Sequence, residues 1–486
     1  MIKHLTPMST NCNSSSLNVY GADRPWTADE VRHLYRRAAF GISTEDISVV
    51  LTKTPAQAVD DLVDAALNTP LSIEPVGSYT KSEKLGRMRH TYLSAMKSNG
   101  LRDRLTLFWS NHFVTEYNVY NCLSYLHEYV NILQRQALGN VKTFVHEIGL
   151  CSAMLVYLNG NENKKDGPNE NYARELFELF TLGEGIGYTQ SDIENTAKAL
   201  TGYTSYYNYA GPDNCLPITF VENDFNTEQK TIFGRTGNWN YDDVIDILFE
   251  ERSNEIATFI VQKIYRYFVH PMLPDESIIN ELASDLLNAD FELEPVLRKL
   301  FKSEHFFDVD ARWVIIKSPV DLVLGFLNDC NIPYPDIEDG LSSRVFKAIG
   351  DMGQLVFDPP NVAGWQGDKT WINSKTLLDR WRGLEILLIR LPIAFGEHLF
   401  TDFVNSLVED PNESDVELVM RKVVEALLPS ELLTDLDYEN ALERFKSSLP
   451  QNYFEDGTWS LTFHRMRKQT YDLLFHITKQ PEFQLK

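Results

Sequence analysis

Apolar residues recur every three to four positions through nearly every segment of this 486-residue chain, and that single period dictates helices packed on helices. Start and stop signals punctuate it. Thr27 with Glu30, Ser43 with Asp46 and Thr189 with Asp192 have capping-box spacing, and Thr54 opens a further helix. Gly41, Asn99–Gly100, Gly139–Asn140 and Gly183 stop helices, and Pro392 is expected to end one that begins at Ser374. Helices are expected at Leu101 to Val114, Tyr120 to Leu138 and Val141 to Leu155. The period fails only from Thr204 to Gly234, where Ile218 to Val221 and Thr231 to Phe233 flank polar residues as a short hairpin or an ordered loop would. The expectation is a mostly α, multi-helix globular fold with at most one short β-hairpin and long ordered loops. Residues 1–23 read as a flexible polar arm and 24–396 as the helical core. Residues 397–486 read as an acidic helical part packed on that core, since 12 acidic and four basic residues lie between Thr401 and Pro450.

Charge narrows the function classes. Forty-five Lys and Arg stand against 69 Asp and Glu, a formal charge of −24 that opposes binding to phosphate backbones or anionic lipid. Nucleic acid is therefore not an expected partner. The cysteines, Cys12, Cys122, Cys151, Cys215 and Cys330, are scattered, odd in number and free of C-x-x-C pairs, which reads as mostly buried, reduced thiols. The N-terminal stretch has no apolar core of signal-peptide length and no run is long enough to span a membrane, so a cytoplasmic protein is expected.

The densest polar patterning lies in Pro168 to Gly183, PNENYARELFELFTLG. At about 100° per residue, Glu170, Asn171, Arg174, Glu175 and Glu178 fill one arc of a helix expected to run about three turns, with Ala173, Leu176, Phe177, Leu179 and Phe180 opposite. Asn169 suits its N-cap. Glu175 falls at the seam of the two faces, where a half-buried carboxylate calls for a cation or a donor. Arg174 is spaced for i,i+4 pairs with Glu170 and Glu178 and is also a candidate ligand contact. Gly183, Gly185 and Gly187 lie between helices with Glu184 among them, which reads as a tight turn rather than a phosphate loop.

Two other places carry candidate chemistry. LRDRLTLFWSNHFV ends on Asn111 and His112 in an aromatic setting, where a histidine is either a satisfied core residue or an acid, base or ligand. GQLVFDPPNVAGWQGDKTWINS cannot form a regular element, so packing and side-chain hydrogen bonds must hold it. Its Trp365 and Trp371 either plug the core or form a platform on which a sugar or other flat ligand stacks, with Asn361, Gln366, Asp368 and Asn373 as polar partners.

These residues carry a resemblance. HLYRRAAFG (His33 to Gly41), LFWSNHF (Leu107 to Phe113), QALGN, AMLVYLNG, PNENYARELFELFTLGEGIGYTQSDI, ALTGY, KTIFG, KSP (Lys317 to Pro319), PPNVAGW and PEFQ (Pro481 to Gln484) closely resemble the bacterial "domain of unknown function 1800" family, in order, from about residue 30 to residue 484. The resemblance implies no established reaction. It does imply that many relatives are exported and encoded beside a sulfatase-like companion protein, pointing to envelope or saccharide-type material. The chain departs from the pattern in lacking an export signal and in having Asn223 before Asp224 where many relatives have His-Asp.

Two functional readings remain open at this stage. In the enzyme reading Glu175, Asn171, His112 and Asp224 converge in one cleft as an acid/base set or as metal ligands, with Glu175, Glu178 and Asp224 suited to Mg, Mn, Ca or Fe. Its structural counterpart has Glu175 and Asn171 locking their helix to Arg36, Arg37 or Arg102. In the binding reading the chain is a non-catalytic binding or partner protein that uses the Trp365–Trp371 loop, with Asn361 beside it. Exposed tryptophans favour that reading and buried ones count against it.

Overall fold

The computed structural model describes residues 16–21, 23–72, 81–205, 215–216, 218–338, 340–428 and 432–486. Helices dominate it, and the expected helix starts are in place. Thr27, Thr54 and Thr189 each complete a reciprocal capping box with the residue three positions on, and the Ser43 side chain accepts from the Asp46 N–H. Each box satisfies backbone donors that a helix start leaves orphaned, which is why these boundaries were readable.

Where the chain departs from expectation, local chemistry explains it. Ile218–Phe220 and Lys230–Ile232 do not pair with each other. The first pairs with Tyr203–Ser205 and the second with Arg235–Gly237, so two small antiparallel sheets replace one hairpin. Phe233 and Gly234, at φ 47° and 82°, turn the chain straight back after Ile232, as a two-residue hairpin loop with both φ positive does. The expected Val141 to Leu155 helix breaks at Cys151, whose backbone is extended, into Val141–Leu150 and Ser152–Tyr157. Pro392 does not end its helix, which runs from Ser374 to Phe395 and stops at Gly396. So close to the C-terminus the ring forfeits one hydrogen bond and little follows it to disrupt.

The end of the expected flexible arm is docked. Tyr20 N donates to Lys302 O at 2.7 Å, Glu304 N to Asn18 O at 2.8 Å, and Leu17 and Tyr20 are buried; residues 1–15 lie outside the described residues. The cysteine expectation is also corrected. Cys122 and Cys215 form a disulfide, while Cys151 and Cys330 are buried free thiols; Cys12 lies outside the described residues.

The interior is held by long-range polar joints between segments far apart in sequence. Arg36 and Arg37, consecutive on the Ala28–Ala38 helix, diverge into the protein: Arg36 Nη2 donates to Asp329 Oδ2 at 2.9 Å and to Ala426 O at 2.9 Å, and Arg37 Nη1 to Val269 O at 2.9 Å. One helix thus ties the core to the acidic C-terminal part. Gly41, at φ +97°, lies so close to Asp329 that a Cβ there would be 2.7 Å from the carboxylate Oδ1. The last residues run beside 315–317: Lys317 N donates to Gln484 O at 2.7 Å and Lys486 N to Ile315 O at 2.9 Å, so the KSP and PEFQ segments meet. Gln484 also accepts from Arg380 Nε at 2.8 Å. Unpaired, such buried guanidinium groups would cost several kcal/mol each, so these joints are obligatory partners.

Candidate functional site

The polar helix is not a simple α-helix. Asn171–Glu175 is α-helical and Leu176–Thr181 winds into a π-helix, with Leu182 N donating to Phe177 O at 2.8 Å and Thr181 Oγ1 to Leu176 O. Asn169 serves its start by accepting from Asn171 N at 2.9 Å. Along its polar face the side chains satisfy one another locally. Arg174 reaches Glu170 at 3.0 Å, Glu178 at 3.4 Å and Gln190 at 3.1 Å. The Asn171 side chain donates to Leu158 O at 3.2 Å and so holds the neighbouring left-handed turn at Asn159.

Glu175 is half-buried and meets neither a cation lock nor a hydrogen-bond donor among the described residues. The arginines proposed for that lock are engaged elsewhere: Arg36 with Asp329, Arg37 with backbone carbonyls and Arg102 with Asp103. Burial raises the Glu175 carboxyl above its usual range, Glu178 adds to the rise and Arg174 opposes it. Asp224, on a short 3₁₀ turn at Glu222–Asp224, lies 4.0 Å from Lys164 Nζ. Among the described residues no three His, Cys, Asp or Glu side chains are grouped to hold a metal ion. Glu175, Glu178 and Asp224 are therefore not brought together as a three-ligand set.

His112 and the tryptophan loop, by contrast, are brought together. A cavity of about 370 Å³ opens between the end of the Leu101–His112 helix, the last turns of the Ser253–Phe268 helix, the segment around Ile315 to Asp321 and the irregular loop through Trp371. That volume falls in the small-molecule range. The joint that makes it is specific: Trp365 N donates to Asn111 Oδ1 at 2.7 Å, and Asn111 Nδ2 donates back to Trp365 O at 2.9 Å. Gly364, at φ +72°, allows the approach, because a Cβ there would sit 2.3 Å from Asn111 Oδ1. The LFWSNHF and PPNVAGW segments, some 250 residues apart, are thus two halves of one clamp.

Trp365 and Trp371 are each 8 % exposed, yet both line the cavity. Asn361 does not line it. Its side chain accepts from Ala363 N at 2.9 Å and shapes the turn before Gly364. His112 Nε2 donates to Phe180 O at 3.0 Å, so Nδ1 carries the lone pair, and it is buried without a partner among the described residues. Burial, and then Lys263 nearby, depress the imidazole to about 3, with the Phe180 hydrogen bond partly offsetting them, so His112 is neutral at physiological pH.

Sequence reasoning missed the rest of the wall. Lys263, Arg266 and Tyr267 come from one helix at i, i+3 and i+4, a spacing visible in the sequence but indistinguishable from an ordinary solvated flank. At the far wall Asp321 is shared between Arg104 and Lys486, the latter at 2.7 Å. Burial alone would raise the Asp321 carboxyl, but Arg104 and Lys486 together hold it well below the usual range.

A model of the family described as "Protein of unknown function (DUF1800)" matches residues 33–485. The chain belongs to that family. No curated protein and no solved structure matches it. Three of the quoted family segments meet at this cavity, with LFWSNHF and PPNVAGW forming its clamp and KSP contributing Ser318. No helix among the described residues is long and apolar enough to cross a membrane.

Proposed function

We propose that this family member binds a saccharide-type ligand in the cavity beneath the tryptophan loop, and that it works as a binding component rather than through the Glu175, Asn171, His112 and Asp224 set. The observation that carries the reading is the composition of the cavity wall. Two indoles line the wall, while the buried His112 Nδ1 lone pair and the half-buried Tyr267 hydroxyl have no hydrogen-bond partner among the described residues. A purely apolar ligand would leave those groups unsatisfied, whereas a polyol both stacks and hydrogen-bonds. The burial of both tryptophans counts against an exposed stacking platform; what supports the reading is that both line the cavity wall.

Titration of neutral oligosaccharides while following tryptophan fluorescence and the thermal midpoint tests this. A saturable spectral change with a ligand-dependent rise in Tm supports the reading, and an unchanged spectrum and Tm across the panel contradicts it.

A second observation bears on compartment. The Cys122–Cys215 disulfide supports an oxidising environment rather than the cytoplasm. Thiol labelling of the native chain checks it: the account expects both residues to be blocked, and free Cys122 and Cys215 thiols in protein isolated from its host would contradict it.

A further inference from the structure

Lys263 and Arg266 stand out in a chain of net charge −24, because both line the cavity and neither forms an ion pair or a hydrogen bond among the described residues. They lie three residues apart on the Ser253–Phe268 helix, hence on one face. Lys263 is half-buried, with its Nζ 5.1 Å from the Phe259 ring centroid, and burial lowers its pKa, with Arg266 lowering it further. Of the two carboxylates that line the cavity, Asp321 is already consumed by Arg104 and Lys486. The other, Asp368, forms no ion pair or hydrogen bond with Lys263 or Arg266 among the described residues. The cavity is therefore lined by a half-buried lysine and, at its solvent-facing rim, an arginine, neither paired with a carboxylate among the described residues, next to a buried imidazole whose Nδ1 can only accept a hydrogen bond.

Resting on the saccharide reading above, we infer that the ligand is an acidic sugar whose carboxylate is held by Lys263 and Arg266, with a neighbouring hydroxyl donating to His112 Nδ1 and the ring against Trp365 or Trp371. A guanidinium donates two parallel N–H···O bonds to a carboxylate, and the ammonium adds a point charge. An acidic ligand gives the half-buried Lys263 ammonium a charged partner that the chain does not supply, and Arg266 at the rim adds a second contact. A neutral sugar leaves both cations unpaired.

The test is isothermal titration calorimetry of the full chain with a glucuronate-containing trisaccharide, its carboxyl-reduced counterpart and a neutral trisaccharide carrying one sulfate, on wild type and on a Lys263→Met/Arg266→Met double variant whose thermal melt reports folding. The expected result is binding of the glucuronate form at least roughly tenfold tighter than the reduced form, with this preference shrinking as salt rises and vanishing in the double variant while the reduced form binds as before. A preference for the sulfated over the glucuronate form, lost in the same variant, keeps the anion site but overturns its assignment to carboxylate. Equal binding of acidic and neutral forms overturns the acidic ligand and leaves the saccharide cavity standing. A preference that survives in the double variant overturns the role of Lys263 and Arg266. Binding of none of the three overturns the saccharide reading itself.

Discussion

Two regions of this protein look equally polar, yet the chain uses them in opposite ways. On the Asn171–Thr181 helix, Arg174 is satisfied by Glu170 and Glu178, four residues away on either side, and by Gln190 at the start of the next helix. Around the cavity, Asn111, Lys263, Asp321, Trp365 and Lys486 come from distant segments and meet only in the folded chain. In the proposed reading, the local pairing of Arg174 with its neighbours makes this a solvated helix face, with Glu175 alone left without a partner. The proposed ligand site is instead the wall whose groups are assembled over long range.

The contrast predicts where mutations hurt. The largest effect belongs to the cavity's far wall: Asp321→Asn leaves Arg104 and Lys486 buried without an anion and should cost roughly 3–5 kcal/mol in denaturant unfolding. A loss under about 0.5 kcal/mol would show that this wall is as loosely held as the helix face. Asn111→Ala is expected next. It strips both hydrogen bonds from the Trp365 backbone and should destabilise by about 1–3 kcal/mol, with weaker saccharide binding, measured together by melts and calorimetry.

Acid sharpens the comparison through His112. Its folded pKa is depressed from 6.5 to about 3, so between those values the unfolded chain binds more protons than the folded one. The stability it contributes is present above about pH 6.5 and is lost as pH falls through that window, by up to about 1.4 kcal/mol per pH unit. Denaturation midpoints at pH 7, 6 and 5 should fall more steeply for wild type than for His112→Gln, and parallel slopes would contradict the burial of a neutral imidazole.

The helix face should give the smallest responses. Arg174→Ala should cost under about 1 kcal/mol, the usual worth of exposed i,i+4 pairs. Glu175→Gln should leave stability within about 0.5 kcal/mol of wild type, or raise it slightly, because no cation is lost and the repulsion from Glu178 is relieved. The Glu175 carboxyl is raised in the folded state, so its contribution favours folding at low pH and is lost as pH rises through the folded value. The gain from Gln should thus be larger at pH 8 than at pH 5. A large drop for Glu175→Gln at either pH would mean that the carboxylate carries a partner and that the two regions are not opposites.

Much of the fold was legible because helix caps and apolar periods are local. Thr27 and Glu30, three residues apart, specify their own boundary. The π-helix at Leu176–Thr181 was not legible, since LFELFT is also a good α-helical sequence and only the buried surroundings, with His112 taking the Phe180 carbonyl, accompany the wider winding. Of the candidate site, His112, Trp365 and Trp371 were readable as residue types in unusual settings. Their convergence was not, because it depends on a clamp between Asn111 and Gly364–Trp365 whose halves are about 250 residues apart. The disulfide was invisible for the same reason: Cys122 and Cys215 are 93 residues apart with no spacing signature.

Hydrogen–deuterium exchange with and without saturating glucuronate-containing trisaccharide tests most directly whether the cavity, not the helix face, is the site. The account predicts slowed exchange around the Trp365–Trp371 loop and the last turn of the Ser253–Phe268 helix, with residues 170–182 unchanged. Protection confined to residues 170–182, with the tryptophan loop exchanging as before, would contradict it.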